Sequence, residues 1–222
     1  MTTRIQWRPI RTAAAKSGRS PRILIPAVTV VVLLIAAIAL AGRDQSSAQS
    51  PTTATDLLAP EIPHSPEGAQ SAAAKVASAL GGEKMFGEQD RHNLIQLIAE
   101  PSQRGKMITD TDADYAPLGR RIGLDADGQP PAGATFVSRT MPAGTTIRSY
   151  TGGTADVSVW CATLFGLTGE TAAEEIPLDT GWVTMTMTLH WTDDGWKLTS
   201  FEQETGPEPD AAGGKFGEAP QL

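Results

Sequence analysis

The chain has one cysteine, Cys161, among 222 residues. No disulfide can form within it, so bridges cannot substitute for a hydrophobic core. A catalytic thiol needs a histidine partner, and the three histidines, His64, His92 and His190, fall in separate segments away from Cys161. Next to Val159 and Trp160, which suggest a strand, Cys161 reads as a small buried hydrophobe. Aromatic residues make up only 5% of the chain, yet five of them are tryptophans. Four of these, Trp160, Trp182, Trp191 and Trp196, are close enough in sequence to crowd a single sheet.

Metal-ligand spacing is also missing. Asp110, Asp112 and Asp114 alternate like the start of a calcium loop. The sixth position of such a loop requires glycine and the twelfth glutamate; here they are Tyr115 and Arg121. The stretch therefore reads as a solvated, cap-forming loop, and no metal ligand is assigned. Asp125 and Asp127-Gly128 read as turn residues before Pro130-Pro131. No cofactor motif, internal repeat or paired catalytic carboxylates stand out. Asp156 and His190 are the only strand-borne candidates for acid–base work. His190 sits where a cross-strand hydrogen bond is its expected role, and no catalytic residue is assigned.

Basic residues are scarce after the first segment. Residues 1–22 hold Arg4, Arg8, Arg11, Lys16, Arg19 and Arg22 and no acidic residue. Subtracting those six from the 18 basic residues leaves 12 against 25 acidic ones, a net of −13 for the remainder. Such a surface argues against direct nucleic-acid binding by the folded domain, because neutralising phosphates takes clustered lysine and arginine.

What the chain does have is one long apolar run, Ile23 to Ala41, ILIPAVTVVVLLIAAIALA. As a helix it spans about 28 Å, close to the hydrocarbon core of a bilayer. Pro26 lies in its first turn, where a missing N–H costs little. Ala37-Ile38-Ala39 fits a small-x-small cleavage site, but the run is longer than a signal-peptide core. We read it as an uncleaved signal-anchor, a single-pass transmembrane helix. The basic flank places the N-terminus in the cytoplasm and the rest outside the cell membrane. The lipid bilayer is thus the first predicted partner.

Residues 42–65 are rich in Ser, Thr, Ala, Gln and Pro and read as a flexible linker. A domain of roughly 140 residues follows, at 66–205, large enough for a core. Ser65-Pro66 is a helix start. Ala69, Ala72, Ala73, Val76 and Leu80 make one stripe, and Gly81-Gly82 ends it. A second helix is predicted from Glu88 to Glu100, with Leu94, Leu97 and Ile98 apolar and Pro101 as its stop. A weaker helical segment runs from Ser102 to Thr109.

From Ala134 the apolar period changes to two. Short strands are predicted at 135–140 and 145–150, joined through Met141-Pro142-Ala143-Gly144, and another at 156–164. Val157, Val159 and Cys161 share one face; Asp156, Ser158 and Trp160 share the other. A polar excursion fills 169–180. Then Val183, Met185, Met187, Leu189 and Trp191 alternate with Trp182, Thr184, Thr186, Thr188 and His190. Thr192-Asp193-Asp194-Gly195 is the hairpin turn, and 196–203 the return strand. An even loop keeps Leu198 on the Met185/Leu189 face. Residues 206–222, rich in Pro, Gly and Ala, read as a disordered tail.

Helices followed by antiparallel strands define an α+β fold. This order resembles the nuclear-transport-factor-2-like (NTF2-like) cone, with about three helices on a curved antiparallel sheet of four to five strands. With the basic tail and single span, the chain resembles bitopic scaffold proteins of type IV secretion and conjugation systems. TGGTADVSVWCATLFGL (151–167) and WVTMTMTLHWTDDGWKL (182–198) are similar to membrane proteins of actinobacterial conjugative elements. The resemblance implies a non-catalytic scaffold that binds other envelope or transfer-channel proteins and itself, as a homo-oligomer, without a cofactor. Trp160 and Trp182 are then the candidate partner-binding residues; the alternative places both in the core. A second function is open at this stage, binding of a small apolar ligand between helices and sheet, lined by Met185 and Met187.

Overall fold

A computed structural model describes residues 62–170, 176–212, 214 and 216–218. The predicted span 23–41 lies outside the described residues. Among the described residues no helix is long and apolar enough to cross a membrane.

The first helix, α1 (Pro66–Leu80), starts as expected: the Ser65 hydroxyl accepts from the Gly68 N–H at 3.1 Å, with Pro66 in the first turn. A 3-10 turn, Glu83–Phe86, leads to α2 (Glu88–Ile98). α3 (Arg104–Arg121) is far longer than the predicted 102–109. The aspartates read as a loop lie inside it. The overlooked signal is Met107, Thr111, Tyr115 and Leu118, all buried and spaced i, i+4, i+8, i+11. Pro117 lies past the first turn and has no N–H for the Ala113 carbonyl, so the helix runs through it at a local cost.

Four long strands follow: β1 (Ala134–Tyr150), β2 (Thr154–Gly169), β3 (Asp179–Thr192) and β4 (Gly195–Thr205). They form an antiparallel meander, with a two-residue β5 (Gly217–Glu218) on the outer edge of β1, in the order β4-β3-β2-β1-β5. The two short strands expected at 135–140 and 145–150 are one strand. Pro142-Ala143-Gly144 is a bulge in it, with Pro142 opposite Cys161 and Gly144 opposite Trp160, and a second register shift follows between Ile147 and Ser149. A bulge at the sheet edge accommodates a proline, which has no N–H to give a ladder. The hairpin loop is even: Thr192 pairs with Gly195 and Trp191 with Trp196. Leu198 lies opposite Leu189 on the core face, and the bulge that takes up Thr199 comes only after it.

The core lies between the helices and one sheet face. Ala69, Ala72, Ala73, Ala77 and Leu80 of α1, Val157, Val159 and Cys161 of β2, Met187 and Leu189 of β3 and Leu198 of β4 carry no exposed surface. The α1 end is clamped from two sides. Tyr115 Oη donates to the Leu80 carbonyl at 2.8 Å, and Ser138 Oγ to the Gly81 carbonyl at 2.9 Å. These satisfy acceptors that a helix end leaves unmatched.

One charged group is buried with the apolar ones. Arg91 of α2, 1% exposed, donates through Nε and Nη2 to Asp112 Oδ1 at 2.8 and 2.6 Å and through Nη1 to the Met85 carbonyl at 2.8 Å. His92 Nε2 meets the same carboxylate at 2.9 Å. The middle of the three alternating aspartates, expected in a solvated loop, is therefore the tie between α2 and α3. Burial opposes its ionisation, but the His92 and Arg91 hydrogen bonds and their charges outweigh it and hold the carboxyl below the usual aspartate range. No buried side-chain polar atom among the described residues lacks a partner.

Two substitutions test this arrangement by chemical denaturation. Leu198→Ala should cost about 2–5 kcal/mol, the usual cost of emptying a packed leucine site; a change near zero would place Leu198 on the other face. Asp112→Ala should cost about 2–3 kcal/mol, less than for a fully enclosed pair because the aspartate side is partly solvated.

Candidate interaction surface

Strand alternation sends a second set of side chains to the sheet face away from the helices. On β2 these are Asp156, Ser158, Trp160 and Ala162; on β3, Trp182, Thr184, Thr186, Thr188 and His190. Much of this face is a hydroxyl ladder. Ser149 Oγ donates to Asp156 Oδ2 at 2.6 Å and Thr188 Oγ1 to Asp156 Oδ1 at 2.8 Å, while Ser158 and Thr186 hydroxyls meet at 3.2 Å. The Ser149 and Thr188 hydrogen bonds hold the Asp156 carboxyl below its ordinary value, burial opposing and Arg148 assisting.

At one end of this face the ladder gives way to aromatics. Trp160 and Trp182 stack with centroids 4.3 Å apart at 20°, and Phe216 lies 5.9 Å from Trp160 at 15°. The register explains the stack, because Ala162 opposite Trp182 leaves room for the Trp160 ring one step along. Both tryptophans are half-buried, so the expected candidates sit together outside the core. Met141 of β1, 48% exposed, lies opposite Ala162 in the same row.

Part of residues 206–222, expected as a disordered tail, packs against this patch. The Gly206 N–H donates to the Trp182 carbonyl at 2.7 Å, Thr184 Oγ1 to the Gly206 carbonyl at 2.8 Å, and Trp160 Nε1 to the Pro207 carbonyl at 2.8 Å. A short helix, α4 (Pro209–Ala212), buries Ala212, and a pocket of about 180 Å³ is left between Ala143, Trp160, Ala212 and Phe216. Composition hid this, since the anchors are one phenylalanine and backbone carbonyls.

The other candidates are placed elsewhere. Cys161 is fully buried, and burial pushes its thiol up to about 12. His190 Nδ1 meets Glu100 Oε1 at 3.1 Å, so its partner comes from the segment after α2 and not from the neighbouring strand, as expected. α2 ends at Ile98, and the Glu100 N–H instead donates to the Leu198 carbonyl at 2.9 Å, bringing Glu100 to the β4 edge. Asp156 and His190 thus hold separate partners. Asp125 accepts from the Asp127 and Gln129 N–H groups, as its turn role requires. No group of three potential metal ligands occurs among the described residues. Met185 and Met187 are core residues, and a cavity beside Val157, Val159, Met187 or Leu189 large enough for water would leave them some exposed surface.

His64, assigned to the linker, stacks on Trp191 with centroids 4.2 Å apart and meets Trp196 edge-on, while Trp196 Nε1 donates to the Pro63 carbonyl at 3.2 Å. These two tryptophans fasten the start of the domain; Trp182 lies toward the other end of β3, with Trp160 beside it on β2.

The fold is thus an α+β domain with a helical layer on one face of an antiparallel sheet and an aromatic patch on the other. The chain belongs to the family described as domain of unknown function DUF8175, whose model matches residues 45–213. No curated protein matches it. Among solved structures it is similar to CagV, a VirB8 homolog of the type IV secretion system from Helicobacter pylori strain 26695 (10% identity, 63% of this chain and 98% of that one, TM-score 0.41). It is also similar to an NTF2-like family protein from Streptomyces avermitilis described as a dehydratase (18% identity, 64% and 97%, TM-score 0.39). A third is the intermembrane-space region of the chloroplast protein ARC6 (17% identity, 60% and 88%, TM-score 0.35). These scores are too low to say what this chain does.

The outer face has a pH signature. A depressed carboxyl contributes stability above its unfolded pKa and loses it as pH falls through the folded value. Asp156 should therefore stabilise the domain above its ordinary value of 3.8 and stop doing so below it. Asp156→Asn should remove that part of the acid dependence in thermal melts across this range; an unchanged slope would mean the ladder contributes nothing. Trp182→Phe should abolish the exciton couplet of the stacked indoles in circular dichroism while changing stability by about 1 kcal/mol or less.

Proposed function

We propose that the chain is a membrane-anchored, non-catalytic scaffold or assembly component of a cell-envelope machinery of the conjugation or secretion type. The observation that carries this reading is the stacked Trp160–Trp182 pair, half-buried on the sheet face opposite α1. Tryptophan at an exposed sheet face is characteristic of protein-binding hot spots. A filled core at Val157, Met187 and Leu189 disfavours the apolar-ligand alternative. The predicted span at 23–41 with its basic flank supports a single-pass protein, N-terminus in the cytoplasm and domain outside, in a membrane of actinobacterial type. Anchoring fixes orientation and raises local concentration, so modest contacts suffice for assembly.

Two measurements decide it. Protease added to intact cells should digest the domain and spare residues 1–22; protection of the domain would reverse the topology. A photoreactive residue at Met141, in the row of Ala162 and Trp182, should trap an envelope protein or a second copy in native membranes. Recovery of the uncrosslinked monomer alone would remove the scaffold reading.

A further inference from the structure

β1 is an edge strand, and what sits on its open side is small. Among the described residues its only β partner there is β5, which engages Gly144 opposite Glu218 and Thr145 opposite Gly217. Two paired residues make a weak strand, and the stack of Phe216 on Trp160 supplements them. The approach is close. A Cβ at Gly144 would lie 2.7 Å from the Gly217 carbonyl oxygen and 2.8 Å from Phe216 Cβ, so a strand lies here only because residue 144 has no side chain. Charge singles out this edge as well. β1 carries Arg139 and Arg148, both exposed, and no acidic residue, in a chain whose remainder beyond residue 22 is strongly acidic.

We propose that the β1 edge is a docking site for an extended acidic segment of a partner protein, paired as an added strand at Gly144–Thr145 with an aromatic side chain stacked on Trp160, and that residues 216–218 occupy this site in cis. Strand addition draws affinity from the main chain and specificity from alternate side chains. Here the side chain is an aromatic, for which Trp160 is the platform, and the charge is acidic, for which Arg139 is the complement. The resident segment shows the aromatic half of this chemistry, with Phe216 stacked on Trp160 and Gly217 paired opposite Thr145. Being tethered, it acts at an effective concentration on the millimolar scale. A partner displaces it by pairing over more of the edge, since β1 from Ala134 to Met141 has no β partner on that side among the described residues. The inference rests on the scaffold reading and names the kind of partner its surface takes.

The test uses the full-length chain in detergent and a synthetic peptide beginning Lys-Phe-Gly-Glu and continuing as an alternating Val/Glu strand, with binding followed by calorimetry. The Phe216→Ala chain, whose resident segment has lost its stack, should bind the peptide roughly tenfold tighter than the native chain. Replacing the peptide's phenylalanine by alanine should weaken binding by roughly the same factor. Gly144→Val should abolish it. Arg139→Glu, at an exposed position, should weaken the acidic peptide and favour one with lysine in place of glutamate. Binding indifferent to both Gly144→Val and Arg139→Glu would overturn the proposal. So would an absence of binding by the Phe216→Ala chain; if crosslinks from position 141 still trapped a partner, strand docking would fall while the scaffold reading stood.

Discussion

Ala69, Ala72, Ala73 and Ala77 give α1 a face with almost no side-chain height, and the helix lies directly on β1 and β2. Gly81 continues that closeness past the helix end. A Cβ there would fall 1.8 Å from Thr140 Oγ1, so the backbone itself touches the strand. Everything else is arranged around this contact. Tyr115 reaches from α3 to hold the Leu80 carbonyl, and Ser138 from β1 holds that of Gly81. A larger face on α1 would lift it off the sheet and open the space that Val157, Val159, Met187 and Leu198 now fill. Close packing of this kind leaves little for an internal ligand and moves any binding role to the outside.

Legibility followed the strength of local period. The α1 stripe and the Thr/Met alternation of β3 are long and regular, and both elements lie where the sequence puts them. The even hairpin was readable because only that parity returns Leu198 to the core. α3 was misread because its apolar stripe is sparse and includes Thr111, whose hydroxyl bonds back to the Met107 carbonyl at 2.8 Å and so hides in a helix groove. Alternating Asp110, Asp112 and Asp114 have the composition of a loop, although Asp112 faces Arg91 of α2. Arg91 was invisible as a core residue because its burial depends on an acceptor 21 positions away. Residues 206–218 carried no periodic signal, since carbonyls and one phenylalanine hold them.

The tryptophans show where sequence parity stops. Trp182 shares a face with the threonines of β3, and Trp160 with Asp156 and Ser158, so both were readable as lying opposite the methionines. Whether that opposite face is covered depends on non-local packing. Trp191, on the methionine side of the same strand, is drawn under His64 and against Trp196. Two tryptophans of one strand thus differ in role because nine steps of alternation put them on different faces.

The distance between them has a consequence for how the domain is presented. Trp182 and Trp191 are separated by about 30 Å of extended strand. The chain enters the domain at Trp191, where Pro63 and His64 are gripped by the Trp191–Trp196 pair. The aromatic patch lies at the other end, beside Trp160. Because β2, β3 and β4 are paired along their lengths, the sheet between the two ends behaves as a stiff spacer. Whatever tethers residue 62 therefore holds the patch at a distance from the attachment point. That separation between the gripped end and the aromatic end suits the membrane-anchored scaffold proposed above, and it follows from strand length and side-chain parity.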